Sequence, residues 1–307
     1  MTDIQNERIL ITGAAGQIGF PLAVELAQNN DVWAIARFNN SAARERLEAA
    51  GVTTRVVDLA DPDFSQLPDS FSCVVHFAVF QQPGKDFNYA MRVNAEGTGL
   101  LMSRFRNARA FLVMSTCSVY AAAPEPAHEV SENDPLDNSV QPYSETYPIS
   151  KIAEESVARF AARQWNIPTT IARMNVSYGP NGGLPAYQFD MMLAGQSIAI
   201  EAGCVSTCNP IHQDDINRQT PLLLGVASVP ATIVNWAGDE SVEVETYCRY
   251  MAELARLEPV FQRTGDAIQH TRTDNTLRRR LIGDCSIGWR EGMRQMVEKR
   301  HPELNLS

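Results

Sequence analysis

Apolar residues along the chain fall into short continuous runs, and longer segments with a helical spacing separate these runs. Continuous apolar runs are typical of strands that are covered on both faces, as in a parallel sheet between layers of helices. The segments between them, such as 20–29 and 41–50, repeat apolar residues at the interval of an amphipathic helix. The pattern therefore predicts a series of β-α-β units with strands at 8–13, 31–37, 53–58, 72–78, 110–115, 168–174 and 231–238.

The composition of the sequence changes after Met174, where turn-forming residues become frequent. A smaller lobe is expected to begin near Asn175, and strand 231–238 is expected to return to the main sheet. A chain of 307 residues is near the length at which one core divides into two. We therefore predict an α/β fold, with a doubly wound, Rossmann-like parallel sheet and a smaller C-terminal lobe. The main domain would comprise 1–174 and about 211–240, and the lobe 175–210 and 241–307.

Composition narrows the range of partners. Acidic residues outnumber basic ones, 36 to 26, and the formal net charge of -10 disfavours binding to the phosphate backbone of nucleic acids. The first ten residues have neither the basic start nor the apolar run of a secretory signal, and no apolar stretch reaches the ~18 residues of a membrane span. We therefore expect a cytoplasmic protein with no nucleic-acid or membrane partner.

The six cysteines are spread along the chain, without a CxxC pair and without histidines at zinc spacing. Free, mostly buried thiols are expected in such a chain. Cys204 and Cys208 lie four residues apart, but no further ligands accompany them. No metal site is therefore predicted.

A glycine-rich turn follows the first predicted strand, in the sequence GAAGQIG, and a helix follows the turn. Glycines at such a turn let the backbone bend sharply and approach a pyrophosphate, while the helix N-terminus attracts negative charge. The turn alone is a weak signal, but its position at the start of a β-α-β series is typical of dinucleotide binding. The residues assigned to cofactor binding here are Gly13, Gly16, Gln17, Ile18 and Gly19.

The ends of the second and third predicted strands bear on the choice of cofactor. An acidic residue would bind the ribose hydroxyls of NAD, but the sequence has Ala36 at that position and Arg37 after it. Arg37 suits the 2′-phosphate of NADP, unless it is a solvated loop arginine, so NAD(P) is predicted with NADP favoured. Asp58 is placed to accept a hydrogen bond from the adenine amino group, or is a plain turn aspartate, and Leu59 is assigned to the same site.

A candidate acid-base pair follows the hydroxyl-rich sequence STCSVYA at 115–121. Tyr147 and Lys151 lie four residues apart, and therefore on one face, of a helix predicted within 144–165 with its mixed charges outside. A phenol with a pKa of about 10 is a poor base at neutral pH, but an adjacent ammonium favours the phenolate. The pair is thus a candidate proton carrier, although YxxxK also occurs as an ordinary surface pair.

Eight motifs resemble, in the same order, those of the extended short-chain dehydrogenase/reductase family, the NAD-dependent epimerase/dehydratase group: GAAGQIG, VVHFA, VNAEGTGLL, STCSVY, YPISK, ARMNVSYGP, NPIHQDDI and DNTLRRRLIG. The resemblance covers nearly the whole chain. It implies a dinucleotide-binding main domain, a substrate-binding lobe, and hydride exchange between nicotinamide C4 and a secondary alcohol or ketone carbon. It also implies a homodimer, formed by the helix with Tyr147 and the helix after Asn94.

The resemblance also implies roles for residues at the end of the hydroxyl-rich strand. Tyr147 matches the family's acid/base, and Lys151 matches the partner that also binds the nicotinamide ribose. Thr116 falls where the family places a hydroxyl that hydrogen-bonds the reacting oxygen. Ser115 is the neighbouring candidate for that role, and both Ser115 and Cys117 are assigned to substrate binding.

Further matches line the cofactor and open the lobe. Asn94 matches the asparagine beside the cofactor, and Ala78, with Phe77 before it, is expected under the dinucleotide. Asn175 begins the substrate lobe and is assigned to substrate binding. His76 lies inside an apolar strand and is predicted to be a satisfied core histidine rather than a base.

Two departures from the family pattern narrow the reaction. Sugar dehydratases of the family have an Asp-Glu pair where this chain has Cys117 and Ser118, which cannot readily donate a proton to a departing hydroxyl. Arg263 resembles one arginine of the clamp that holds a sugar nucleotide's diphosphate and is assigned to the substrate, but Cys208 lies near the position of the second. The arginine-rich segment 272–283 either compensates or begins a solvated helix.

Three hypotheses follow. The first is an NAD(P)-dependent oxidoreductase that acts on a secondary alcohol or ketone, with Tyr147 as acid/base and a small molecule as substrate. The second is a nucleotide-sugar epimerase that holds NAD tightly and returns the hydride to the same sugar within one turnover. The third is a cofactor-binding regulator without catalytic activity, which the complete Tyr147 and Lys151 pair disfavours.

Overall fold

The computed structural model describes residues 4–123, 125, 127–137, 141, 143–304 and 306. The remaining residues, which belong to the predicted main domain and lobe, lie outside this description. No helix within the described ranges is both long and apolar enough to cross a membrane. The six cysteines carry free thiols.

A seven-stranded parallel sheet forms the centre of the protein, and its strands are those that the apolar runs predict. The sheet order is β12-β6-β5-β4-β1-β2-β3, with strands numbered along the chain and every neighbouring pair parallel. The prediction of a Rossmann-like parallel sheet is therefore confirmed. The strands are β1 Arg8–Thr12, β2 Asp31–Ala36, β3 Thr53–Val56, β4 Cys73–His76, β5 Ala110–Thr116, β6 Thr169–Met174 and β12 Thr232–Trp236.

The order of the strands reverses at β1, which pairs with β2 on one side and with β4 on the other. In a doubly wound sheet, ligands bind beyond the carboxyl ends of the strands at such a point. Thr12 of β1 lies beside His76 of β4, and His76 lies beside Val113 of β5. The residues that follow these three positions therefore emerge together at one edge of the sheet.

Helices cover both faces of the sheet, as the continuous apolar strands require. One buried cluster includes Ile11, Leu22, Leu47 and Ile216, and the other includes Phe111 and residues of two further helices. The helices are α1 Gly19–Leu26, α2 Ser41–Ala49, α7 Gln213–Gly225 and α9 Thr276–Ile282 at the first cluster, and α4 Gly97–Arg104 and α5 Tyr147–Trp165 at the second; α3 Phe87–Met91 and a π-helical turn, Arg92–Glu96, precede α4.

A third buried cluster, which includes Phe189, Tyr247 and Trp289, lies in the C-terminal half of the chain. Short strands surround it in three small sheets, ordered β11-β7-β8, β10-β13 and β14-β9. The elements are β7 Ser177–Gly179, β8 Gly182–Gly183, α6 Leu184–Leu193, β9 Ile198–Glu201, β10 Thr207–Cys208, β11 Ile211–His212, β13 Val242–Glu243, α8 Val244–Ala255, β14 Phe261–Thr264 and α10 Trp289–Arg300.

One helix of the predicted lobe segment packs beside the main sheet. α9 lies within the predicted lobe segment 241–307, yet Ile282 is buried in the cluster beside the main sheet, and Leu277 and Leu281 pack against the same cluster. Sequence position alone did not reveal this, because α9 begins after a turn-rich stretch that resembles the rest of the lobe. The segment 276–285 therefore packs with the sheet rather than with the third cluster.

Candidate active site

Two adjoining cavities run along the carboxyl edge of the sheet. One has a volume of about 700 Å³ and the other about 400 Å³. Gly13, Gly16, Phe77 and Val79 line both, so the two cavities meet over the glycine-rich turn and the wall that follows β4. The larger cavity extends towards β5 and α5, and the smaller one towards the ends of β2 and β3.

Close packing at the glycine turn explains why the sequence needs glycine there. Gly13 has a φ of 70°, and a Cβ at this position would lie 2.7 Å from the backbone nitrogen of Ala78. A Cβ on Gly19 would lie 2.6 Å from the carbonyl oxygen of Gly13. The turn therefore brings the N-terminus of α1 against β1 and leaves a floor of bare backbone beneath the cavities. This arrangement fits the pyrophosphate of a dinucleotide, and Gln17 and Ile18 line the larger cavity beside it.

The smaller cavity contains the residues assigned to the adenosine end of the cofactor. Arg37, Asp58, Leu59 and Ala78 line it, together with Phe77. A carboxylate oxygen of Asp58 accepts a hydrogen bond of 2.9 Å from the backbone nitrogen of Ala60, which fixes its side chain. Arg37 is exposed, and its Nη1 donates a hydrogen bond of 3.4 Å to Tyr89 Oη. The structure thus brings these predicted residues together in one cavity.

Asn94 lies behind the residues that line the two cavities. Its side chain is fully buried in the π-helical turn. The amide oxygen accepts a hydrogen bond of 2.7 Å from the backbone nitrogen of Phe80, and the amide nitrogen donates to the Phe80 carbonyl and to Ser150 Oγ at 3.0 and 2.9 Å. Asn94 therefore ties the segment after β4 to α5, and direct contact with a cofactor stays a prediction.

The three candidate catalytic residues line the larger cavity together with the glycine turn. Thr116 is the last residue of β5, and Tyr147 is the first residue of α5, with Lys151 one turn later. The Thr116 side chain is near enough to the phenol of Tyr147 to lower its pKa, and Thr116 Oγ1 accepts a hydrogen bond of 3.1 Å from the backbone nitrogen of Ser118. The carboxyl end of β5 and the start of α5 thus converge on one point.

The electrostatic setting of Tyr147 differs from the one that the sequence predicts. Burial raises the pKa of the phenol, the neighbouring Tyr143 and the charge of Glu154 raise it further, and the Thr116 side chain acts in the opposite direction. Lys151 Nζ donates to the carbonyl oxygen of Met114 at 2.8 Å and contacts the carboxylate of Glu154. The ammonium that was expected to favour the phenolate is therefore paired with a buried carboxylate.

Three of the four residues assigned to the substrate line the larger cavity. Ser115 donates a hydrogen bond of 2.6 Å to Glu155, so its hydroxyl is already engaged. Cys117 donates through Sγ to the carbonyl of Arg173 at 3.2 Å, and burial raises the pKa of its thiol to about 12. Asn175 donates to the carbonyl of Thr271 at 2.8 Å, which holds the loop after β14 against the cavity.

The fourth assigned residue, Arg263, lies away from both cavities. It is on β14, its side chain is 57% exposed, and it pairs with Glu245 at 2.8 Å. Cys208, near the position expected for a second arginine, is buried in the third cluster. Within the arginine-rich segment, Arg278 is buried and pairs with Asp239. Among the described residues that line the larger cavity there is consequently no arginine.

Several lining residues were missed because they lie on loops without a periodic pattern. Gln81 follows β4, Tyr143 precedes α5, and Gln269 and His270 follow β14. Tyr143 hydrogen-bonds the side chains of Ser118 and Gln81. Burial lowers the pKa of His270 to about 4, so its imidazole is neutral near pH 7. Gln81 could have been found from its place after a carboxyl strand end; the others carry no such signal.

The fold and the site together define an enzyme that uses a nicotinamide dinucleotide, of the extended short-chain dehydrogenase/reductase type. Residues 9–200, more than half of the chain, match the model of the NAD dependent epimerase/dehydratase family. The chain therefore belongs to this family, and the resemblance that its motifs indicated is confirmed.

Individual relatives are distant in sequence. A dTDP-D-glucose 4,6-dehydratase from Dictyostelium discoideum is 23% identical over 252 residues, which are 72% of this chain and 56% of the relative, so the chain spans little more than half the length of that protein. A UDP-glucuronic acid 4-epimerase from Bacillus cereus, solved with UDP-glucuronic acid and NAD, has a TM-score of 0.83 at 20% identity over 96% of this chain and 99% of that one. MoeE5, solved with UDP-glucose and NAD, has a TM-score of 0.80 at 25% identity over 96% and 99%.

Proposed function

We propose that the protein is an NAD(P)-dependent oxidoreductase that interconverts a secondary alcohol and a ketone. The observation that carries the proposal is the convergence of Thr116, Tyr147 and Lys151 on the cavity that the glycine turn also lines. Two neighbouring hydroxyls beside a glycine turn that fits a dinucleotide are suited to moving one proton while the cofactor exchanges a hydride.

The chain's own residues would act on the reacting oxygen. A bound nicotinamide supplies the hydride to the carbonyl carbon or accepts it from the carbinol carbon. In reduction, Tyr147 gives its phenolic proton to the carbonyl oxygen, and Thr116 hydrogen-bonds the same oxygen. The phenolate that remains takes a proton from solvent, and in oxidation each transfer runs in reverse. Lys151 would hold the nicotinamide ribose.

Dehydration is not proposed, because the residues after Thr116 cannot supply its acid. The Cys117 thiol is buried with a pKa of about 12, and Ser118 has no acidic proton to give at neutral pH. A departing hydroxyl would have no proton donor at these two positions.

The charge of the larger cavity supports a neutral substrate without a diphosphate. Lys151 is the one charged side chain among its described lining residues, and it pairs with Glu154. Amides and hydroxyls supply the remaining polarity, including Gln81, Tyr143 and Gln269. A diphosphate is usually held by guanidinium groups or several cations. We therefore propose a polar, uncharged ketone or secondary alcohol as the substrate.

A nucleotide-sugar epimerase is the second candidate, and it is favoured by the likeness of the whole chain to UDP-sugar epimerases. The two are separated by purifying the protein, identifying any bound nucleotide, and following nicotinamide absorbance with NADPH or NADH and a panel of neutral ketones. Net cofactor oxidation with a neutral ketone supports the oxidoreductase. Interconversion of UDP-sugars, with no net oxidation of added cofactor by any ketone, would establish the epimerase instead.

We also propose a homodimer and a cytoplasmic location, both of which were expected from the sequence. Leu100 on α4 and Phe160 on α5 are 50% and 61% exposed, although both are large and apolar, and α4 packs against α5. A second copy of the chain would cover this surface. Sedimentation should give a dimer that Phe160→Glu dissociates and Val205→Glu, at an exposed position elsewhere, does not. A monomeric wild-type protein would end the dimer proposal.

A further inference from the structure

Two consecutive glutamates on α5, Glu154 and Glu155, are both buried, with 0% and 1% of their surfaces exposed. The helix was predicted to keep its charged residues outside, so this burial is a difference from the prediction. Glu155 pairs with Arg173 of β6. Glu154 contacts Lys151, three residues earlier on the same helix. The two glutamates are equally buried but have different cationic partners.

A buried carboxylate is costly unless it is paired and hydrogen-bonded. One oxygen of Glu154 contacts Lys151 Nζ. The other lies 3.4 Å from His76 Nε2 on β4 and 3.4 Å from Thr98 Oγ1 on α4. Thr98 Oγ1 gives its one proton to the carbonyl of Asn94 at 2.6 Å, so among these neighbours Lys151 is the cation that balances the charge of Glu154.

The hydrogen bonds of Thr12 identify which nitrogen of His76 faces Glu154. Thr12 Oγ1 accepts from the backbone nitrogens of Phe77 and Ala78 at 3.1 and 3.0 Å, so its single proton points to His76 Nδ1 at 2.7 Å. His76 Nδ1 is then an acceptor, and the proton of the neutral ring is on Nε2. The Nε2–H group points to Thr98 Oγ1 at 2.7 Å and towards Glu154. As predicted, His76 is a satisfied core histidine.

Lys151 is fixed from two sides. Its Nζ donates to the carbonyl of Met114 on β5 and contacts Glu154 on α5, and its side chain is 2% exposed. An ammonium has three N–H groups, so these contacts leave one for the cavity that Lys151 lines. The position and the effective charge of the catalytic lysine therefore depend on Glu154.

We propose that Glu154 is a positioning residue that acts through Lys151: it fixes the ammonium group and offsets its charge, so that Tyr147 is held as a neutral phenol. A neutral phenol is the form that gives a proton to a carbonyl oxygen. The proposal rests on the proposed function, because it takes Tyr147 as the acid/base, and it predicts an enzyme poised for ketone reduction.

The groups that face Tyr147 agree with this role. Tyr143 from the preceding loop, Cys117 from the end of β5 and Glu154 from α5 all raise the pKa of the Tyr147 phenol, after the larger effect of burial. The Thr116 side chain lowers it. Of these neighbours, Glu154 is the carboxylate that also contacts the lysine, so it influences the phenol both directly and through Lys151.

The test compares Glu154→Gln with Glu155→Gln, which has the same chemistry at the next residue but a different partner. We expect Glu154→Gln to lower the pH midpoint of alcohol oxidation by about one unit, the scale expected for the loss of one nearby charge. Glu155→Gln should leave the midpoint unchanged, even if it lowers stability. Glu154→Asp keeps the carboxylate but, with a shorter side chain, places it farther from Lys151. It should give a smaller shift in the same direction and is the variant to use if Glu154→Gln does not fold.

A readout without substrate separates this proposal from the proposed function. The tyrosinate absorbance of Tyr147, obtained by subtracting the titration of Tyr147→Phe, should appear at lower pH in Glu154→Gln than in the parent protein. Folded Glu154 variants whose midpoint and tyrosinate titration match the wild type would overturn the proposal, as would an equal shift in Glu155→Gln. A shifted tyrosinate titration in a protein that reduces no ketone would uphold the role of Glu154 and count against the proposed function.

Discussion

Removing the guanidinium of Arg173 should destabilise the protein strongly, because it would leave a buried carboxylate without its cation. Arg173 Nε and Nη2 donate to the two oxygens of Glu155 at 2.9 and 2.7 Å, and the two side chains are 3% and 2% exposed. The change to test is Arg173→Met, which keeps an unbranched apolar stem of similar shape.

The magnitude follows from the contacts that are lost. Two charge-assisted hydrogen bonds to Glu155 at ~1.5–3 kcal/mol each would disappear, together with one to the carbonyl of Glu132 at 3.2 Å and the contact with the Tyr120 ring. Ser115 would remain as a donor to Glu155. Breaking a buried ion pair on one side costs about 3–5 kcal/mol. At roughly 2–4 °C for each kcal/mol in a large domain, the melting temperature should fall by about 6 °C or more.

The assay is urea unfolding followed by circular dichroism, with thermal melts in parallel. Arg8→Met is the matched control, because Arg8 pairs with Asp31 at 2.7 Å but both side chains are about half exposed; an exposed pair contributes about 0–1 kcal/mol. The double variant Arg173→Met/Glu155→Leu should recover much of the loss, since no unpaired charge is then buried. If Arg173→Met cost no more than Arg8→Met, or if the double variant were as unstable as the single one, the reasoning from the unpaired charge would be wrong.

Three further predictions concern the site. Tyr147→Phe should reduce turnover at least ~10²-fold with cofactor affinity unchanged; wild-type turnover in steady-state assays would remove Tyr147 from the mechanism and support a regulator. Arg37→Ala should weaken the binding of NADPH at least about tenfold more than the binding of NADH, whereas Arg44→Ala should change the affinity for neither cofactor. If a binding titration showed equal losses of affinity for NADPH and NADH, contact with the 2′-phosphate would be refuted. Burial lowers the pKa of His270 from 6.5 to about 4, so the unfolded chain binds the proton first and the free energy of unfolding should fall as the pH drops from 6.5 to about 4. His270→Gln should make the free energy of unfolding, measured in urea, depend less on pH in this range; an unchanged dependence would contradict the burial effect.

The sheet could be predicted because its signal is local. A run such as 110–115 is apolar at every position, and a strand covered on both faces needs this pattern. The structure extends this strand to Thr116 and ends the third strand at Val56 rather than 58. These ends depend on which backbone groups find partners in the neighbouring strand, and a single sequence does not contain that information.

The site could be predicted where its residues follow strand ends or belong to ordered motifs, as Gly13, Thr116 and Tyr147 do. His270 could not, because the loop that holds it is brought to the cavity by Asn175, 96 positions earlier in the chain than the Thr271 carbonyl to which it donates. Arg263 was assigned from its motif, but it is on β14, outside the lining of both cavities, where it pairs with Glu245 of another element.

The charges of α5 support the proposed neutral substrate, in a fold shared with nucleotide-sugar enzymes. Each buried carboxylate on this helix has its own cation, Glu154 with Lys151 and Glu155 with Arg173, so the four side chains together add no net charge beside the cavity. In the proposed complex, the pyrophosphate of the cofactor would meet backbone amides and the N-terminus of α1 at the glycine turn and would need no added cation. A second diphosphate on the substrate would have to be stabilised by amides and hydroxyls alone, in a protein whose formal net charge is -10. A carbonyl or hydroxyl substrate requires only the hydrogen bonds that Thr116, Tyr147 and the neighbouring amides can make.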